Sequence, residues 1–405
     1  MIKTFHSLRN PVFRRFYGAL LAQRAALNMQ NITRSYLIYQ LTGSYTLLGV
    51  VNMAHILPVL FTSLLGGAMA DRVQKKKIIM FCQVSIAVVF LGVAVSLTTG
   101  YVSAERTGSW WVLIVAAVLE GTIAGIMMPS RQSIVPEIVG EQNLMNAIAL
   151  NTLAMNLLRL CAPAVAGFVI AAYDFDVVYY TMATMSVIAI ILIAFIPYTN
   201  KVIISSVNML ANIGEGFRYI GRKKIILFIV VFVLLSMTLS MPLQSLMPVF
   251  VDEILKVGAK GMGILMSVSG AGAILGSVTL ASLPNKKRGP LMLVGSLVLA
   301  VALVVFSFST FWALSLAAMF IYGLGQAIRM TLSNSLVMSH TEGKYRGRVM
   351  SVYTMNFSFS SLGVLGAALL SEEVGVQWAV GSLAITLILI TISAMIFAPR
   401  IRKLD

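Results

Sequence analysis

The chain has 405 residues, 59% hydrophobic and 11% charged, with a formal net charge of +16 and a mean hydropathy of +0.91. A soluble domain carries about 25% charged residues, so this composition excludes a soluble protein, with or without an anchor. The basic excess lies in short loops between apolar runs, which argues against nucleic acid and for membrane orientation by Lys and Arg.

The N-terminus, MIKTFHSLRNPVFRRFY, is basic but leads into a run too polar for the core of a signal peptide, so no cleavable leader is expected. A spanning helix needs roughly 20 apolar residues, and about twelve such spans follow. The first, 14–40, is the most polar. Its Arg24, Asn28, Asn31 and Ser35 step by four, three and four and so share one helical face. Arg34 lies near its far end and either joins that stripe or reaches for headgroups. The second span, 46–70, holds His55 ahead of a kink at Pro58, either as a packed neutral side chain or as a proton-coupling group.

The third span, 77–98, has no ionisable group at depth. The fourth, 110–131, carries Glu120, the single acid deep in any span. Two roles are open for it: structural partner of Arg24 or Arg159, or the carboxylate that couples protons to transport. The fifth, 143–172, places Asn156 and Arg159 on one face, and the sixth covers 176–197. The connection 198–224 has Met209, Ile213, Phe217 and Ile220 at helical spacing, which predicts an amphipathic helix on the membrane surface.

Spans at 225–251, 261–283, 290–309, 311–336, 345–370 and 376–398 complete the set. The tenth repeats the polar stepping of the first with Tyr322, Gln326, Arg329 and Ser333, and Asn356 joins from the eleventh. Alternate loops are strongly basic, which predicts cytoplasmic termini. The expected architecture is all-α and polytopic: an N-terminal six-helix bundle at 1–197, a linker at 198–224 and a C-terminal bundle at 225–405. Cys82 and Cys161 lie in apolar segments and form no disulfide framework.

The halves echo each other. MMPSRQSIVPE parallels RMTLSNSLVMS, and GGAMADRVQKKKIIM parallels GSVTLASLPNKKRGPLM. Such weak internal symmetry marks transporters built from repeated bundles. The stretch GGAMADRVQKKKII resembles the signature of the major facilitator superfamily between its second and third helices, with Gly67, Asp71, Arg72, Lys75 and Lys76 in the matching positions. The resemblance implies that these residues form a cytoplasmic gate. MMPSRQSIVPEIVGEQNLMNAIALNTLAMNLLRLCAPAVAG and EGKYRGRVMSVYTMNFSFSSLGVLGA are similar to the efflux branch with enterobactin exporters and macrolide pumps. Pro163 and Gly167 form a degraded version of that superfamily's antiporter element.

The resemblance implies two pseudo-twofold-related bundles that export small amphipathic drugs or metabolites by alternating access, coupled to protons as an antiporter. In that fold the third, sixth, ninth and twelfth helices are outer ones, and those four lack deep ionisable groups here. Export of an anionic siderophore-like metabolite is the second reading, because Arg24, Arg159 and Arg329 outnumber the deep acid. A membrane sensor or membrane enzyme is the third. An enzyme would need paired carboxylates, a metal-spaced His cluster or an activated nucleophile, and His6, His55 and His340 are far apart. The expected partners are a small-molecule substrate, protons and the bilayer, for a monomer in the cell membrane. No cofactor, metal or nucleic acid is expected.

Overall fold

The computed structural model describes residues 7–197, 209–283 and 287–397; the side chains of Leu64, Asp71, Glu141, Gln142 and 209–213 lie outside the described set. Within it the chain is a succession of long helices: α1 Pro11–Thr42, α2 Tyr45–Arg72, α3 Lys75–Thr98, α4 Trp111–Gly140, α5 Asn143–Ala172 and α6 Phe175–Ala194. After these come α7 Met209–Arg222, α8 Lys224–Ile254, α9 Gly258–Ser282, α10 Arg288–Phe308, α11 Trp312–His340, α12 Arg346–Val374 and α13 Val376–Phe397. Eleven of them are long and apolar enough to cross a bilayer. With the 32-residue α1, whose polar face lowers its hydropathy, the spans number twelve among the described residues.

Local chemistry sets the ends. Asn10 caps α1 by accepting from the N–H groups of Val12 and Phe13, with Pro11 in the first turn. Gly43 closes α1 in the left-handed region at φ 62° and donates to the Tyr39 carbonyl. Gly140, at φ 70° and ψ 167°, separates α4 from α5 in a conformation open almost only to glycine. Helix α8 is broken. Its first segment ends at Ser240, a second begins with Pro242, and a π turn at Phe250–Ile254 ends it. Pro242 has no N–H to offer the Thr238 carbonyl. Gly363 of α12 packs onto that carbonyl so closely that a Cβ there would stand 2.2 Å from its oxygen.

Two compact units result. The first takes in Met1–Gly43 and Ala54–Ser206. In it α2 and α4 cross at backbone contact, where a Cβ on Gly121 would lie 2.0 Å from the His55 carbonyl oxygen. The second takes in Ser44–Met53 and Val207–Asp405. Its equivalent crossing joins α9 and α11, where a Cβ on Gly323 would lie 1.9 Å from the Ser269 oxygen. The opening turns of α2 are tied into this second unit by polar contacts. Tyr45 donates to the Glu253 carboxylate at 2.7 Å, the Thr46 N–H to Glu372 at 3.1 Å and Asn52 to Ser245 at 3.2 Å.

Helix α7 lies within the expected linker and packs against the second unit. Tyr219 and Ile220 are buried within the second unit while Phe217 is exposed; the Met209 and Ile213 side chains lie outside the described residues. Gly216 seats against the Arg348 carbonyl, Glu215 pairs with Arg348, and the rings of Tyr219 and Tyr345 stack at 4.4 Å. An apolar stripe at helical spacing serves protein packing as well as it serves lipid, and here a glycine beside it allows the close approach.

Candidate functional site

The polar centre of the first unit is an ion pair. Arg34 Nη1 donates to Glu120 Oε2 at 3.1 Å, and Gln30 Nε2 donates to Glu120 Oε1 at 2.7 Å. Arg34 and Glu120 are 5% and 3% exposed, so the pair is sealed from solvent. Both carboxylate oxygens are engaged, which a carboxylate at membrane depth requires. Gln30 and Arg34 sit four residues apart on α1 and therefore approach Glu120 from one face. Helix α2 brings His55 alongside, within electrostatic reach of Arg34, and its buried Nδ1 has no hydrogen-bond partner. The two candidate proton-coupling residues are thus neighbours.

This corrects the sequence reading in two respects. Glu120 is held by Arg34, not by Arg24 or Arg159. Arg34 does not reach for headgroups. The buried polar side chains of α1 are Gln23, Gln30, Thr33, Arg34 and Ser35, whereas Asn31 is exposed and Arg24 and Asn28 are half-buried. Asn28 donates to the Arg24 carbonyl at 2.8 Å and Ser35 to the Asn31 carbonyl at 3.2 Å, so part of the stripe is satisfied within its own helix.

Arg24 has a different neighbour. Arg131, near the end of α4, lies within its electrostatic reach. Arg24 Nε and Arg131 Nη2 are buried without hydrogen-bond partners, and no ion pair joins either to a carboxylate among the described residues. Two guanidinium groups brought together with no counter-ion among the described residues form a potential well for an anion. Arg131 stands at the edge of its apolar run, where the sequence suggests a latch partner for Asp71 rather than a substrate-binding group. On α5, Asn156 and Arg159 are half-buried and Pro163 and Gly167 are buried in the helix interior.

The basic signature resolves into separate roles. Helix α2 continues through Arg72, so Gly67 and Asp71 are helical rather than in a loop; the Asp71 side chain lies outside the described residues. Arg72 is exposed. Lys75 pairs with Glu137 of α4. Lys76 is buried and donates to the carbonyls of Ala194 and Ile196 at the end of α6, where a cation satisfies both the unpaired carbonyls and the helix dipole.

In the second unit Arg329 is 2% exposed, with Nε and Nη1 unpartnered. Tyr322 and Tyr353 lie within its electrostatic reach, and Gln326 is buried one turn earlier on the same helix. Tyr322 donates to the Ser240 carbonyl at 3.4 Å and Asn356 to the Val230 carbonyl at 3.1 Å. These two side chains therefore tie α11 and α12 to the broken α8 instead of lining an open space with their donors. No cluster of His, Cys, Asp or Glu suited to a metal occurs among the described residues.

A sequence profile of the Major Facilitator Superfamily matches residues 16–364 and, in a second alignment, 259–404. The chain belongs to the Major Facilitator Superfamily. It is a multi-pass membrane transporter of that superfamily and not an enzyme. It is 24% identical to a staphyloferrin A transporter of Staphylococcus aureus over 85% of this chain and 85% of that protein. It is 23% identical to an enterobactin exporter of Escherichia coli over 91% of this chain and 86% of that protein. Among solved structures, a nucleoside transporter superposes with a TM-score of 0.77 at 14% identity, covering 94% of this chain and 99% of the other. A D-xylose–proton symporter gives 0.70 at 13% identity, over 95% and 97%. These structural likenesses establish the superfamily fold of twelve helices in two bundles.

Proposed function

We propose that this chain is a secondary active exporter of small amphipathic drugs or metabolites, working by alternating access in the cell's inner membrane with both termini cytoplasmic. One observation supports the reading most: the charges of α1 and α4 are sorted into a buried neutral pair and a half-buried positive pair. Arg34 and Glu120 cancel each other. Arg24 and Arg131 have no such partner among the described residues.

The neutral pair suits proton coupling. A proton on Glu120 would cancel its charge and release Arg34, so the local contacts differ between protonated and unprotonated states, and a ligand-driven conformational change needs such a difference. Protons would enter as substrate leaves. The positive pair favours the second reading, in which the exported compound is anionic and siderophore-like. The named relatives are a staphyloferrin A transporter and an enterobactin exporter, and a guanidinium pair presents forked donors suited to carboxylates.

The test is export from proteoliposomes of three probes of similar size, one anionic, one neutral and one cationic, by the native chain and by Arg24→Gln. Selective loss of the anionic probe, by about tenfold per 1.4 kcal/mol of binding lost, supports the anionic reading. Equal loss of all three assigns Arg24 a structural role. No gradient-dependent flux of any probe by the native chain overturns the exporter reading.

A further inference from the structure

We infer that the second unit carries a binding groove for one anionic phospholipid, between α8 and α13. The groove has a volume of about 750 Å³ and is lined almost wholly by apolar side chains. Its floor is Phe232 and Ala394, both buried. Its walls are Leu227, Val231 and Leu235 of α8 and Leu389 and Phe397 of α13, each 40% exposed or more.

The sequence explains the shape. On α8 the wall residues recur at i, i+4 and i+8, so they form one ridge along the helix. On α13 the position facing the middle of the groove is taken by Ser393 and Ala394, whose small side chains leave the gap open between Leu389 and Phe397. The trough therefore runs along the helices, as an acyl chain does in a bilayer, and its length lies within two membrane-crossing elements.

Its polar end decides the class of lipid. Lys224, the first residue of α8 and a lining residue, is exposed, and no ion pair joins it to a carboxylate among the described residues. It closes a basic run of Arg222, Lys223 and Lys224, of which Lys223 alone is matched, by Glu342 at 3.3 Å. A cation on a flexible stem, at the mouth of an apolar trough and at the level where a span ends, complements a phosphate-bearing headgroup of net negative charge. A zwitterionic headgroup offers the same phosphate but adds an ammonium facing this basic run, so the charge complementarity selects the anionic lipid. The groove is formed by residues of the second unit alone, whereas Arg24, Arg131 and Glu120 belong to the first, and this inference stands or falls independently of the proposed transport role.

The experiment uses the full chain, purified in mild detergent with equimolar dioleoylphosphatidylglycerol and dioleoylphosphatidylcholine, and counts retained lipids by native mass spectrometry. The native chain is expected to retain one phosphatidylglycerol at least fivefold in preference to phosphatidylcholine. Lys224→Gln should bring that preference close to one. Ser393→Phe, an exposed position that fills the groove, should remove the retained lipid while the thermal transition stays in place. Equal retention of both lipids by the native chain, an undiminished preference in Lys224→Gln, or undiminished retention in a folded Ser393→Phe overturns the inference. Should Ser393→Phe fail to fold, Leu389→Trp on the groove wall replaces it with the same two outcomes.

Discussion

Arg34 and Glu120, 86 residues apart in the chain, meet at 3.1 Å inside the first unit with both carboxylate oxygens engaged. Removing one member of such a pair leaves a buried charge without compensation, at a cost of about 3–5 kcal/mol. Arg34→Gln and Glu120→Gln should each lower the thermal transition of the purified protein sharply. The double variant should be more stable than the two losses added together. Strict additivity in that double-mutant cycle would show that the two side chains do not depend on each other.

Glu120→Gln also tests coupling. The amide keeps the shape and can still accept from Gln30, but it cannot change charge. Proteoliposomes bearing the variant should lose pH-gradient-driven accumulation of substrate by at least tenfold, while exchange of labelled for unlabelled substrate at equal concentrations continues. Normal accumulation with its usual response to the imposed gradient would remove Glu120 from the coupling path.

The tight crossings predict intolerance of a single methyl. Gly121→Ala in α4 and Gly323→Ala in α11 each force a Cβ to within 2.0 Å of a backbone carbonyl oxygen of the crossing helix. Such overpacking costs about 1–3 kcal/mol or more, because backbone must move. Both variants should show lower folded yield and earlier thermal unfolding, whereas Gly92→Ala, with open space around it, should behave as the native chain.

Lys76 offers a contrast within a single basic run. Its ammonium satisfies carbonyls at the end of α6, whereas Lys77 is exposed. Charged hydrogen bonds of this kind contribute about 1.5–3 kcal/mol. Lys76→Met should therefore shift the thermal transition downward by several degrees, and Lys77→Met should leave it nearly unchanged. Equal effects would reduce Lys76 to a topological charge.

Much of the architecture was legible because the bilayer imposes it. Apolar runs of spanning length and alternately basic loops located most helices to within a few residues, as at α5, where the expected and observed limits coincide, whereas α4 runs to Gly140, nine residues past its expected end at 131. The rotation of each helix was not legible. The stripe Arg24, Asn28, Asn31 and Ser35 has perfect helical spacing, yet the residues of α1 that meet Glu120 are Gln30 and Arg34, on a neighbouring face. Periodicity identifies a face without naming its neighbour, and the acid that selects this face lies on another helix. Likewise Lys75 and Lys76 look alike in sequence, and only the positions of Glu137 and of the end of α6 separate their roles. The break in α8 falls at Pro242, which has no N–H for the helical ladder, but proline alone does not announce it, because Pro58, Pro129 and Pro163 stand inside helices that continue.

The clasp between α7 and the start of α12 bears on how this chain can be divided. Tyr219 lies on Tyr345, Glu215 on Arg348, and the Glu342 N–H donates to the Tyr219 hydroxyl at 3.3 Å. A gene fragment beginning at Lys224 would thus express a bundle with a torn edge: an aromatic ring without its cover, an arginine without its acid and a glycine-shaped seat left open to water. One beginning at Met209 would carry its own lid. In co-expression of split halves, and in grafting this half onto another transporter, the amphipathic helix should travel with the C-terminal piece.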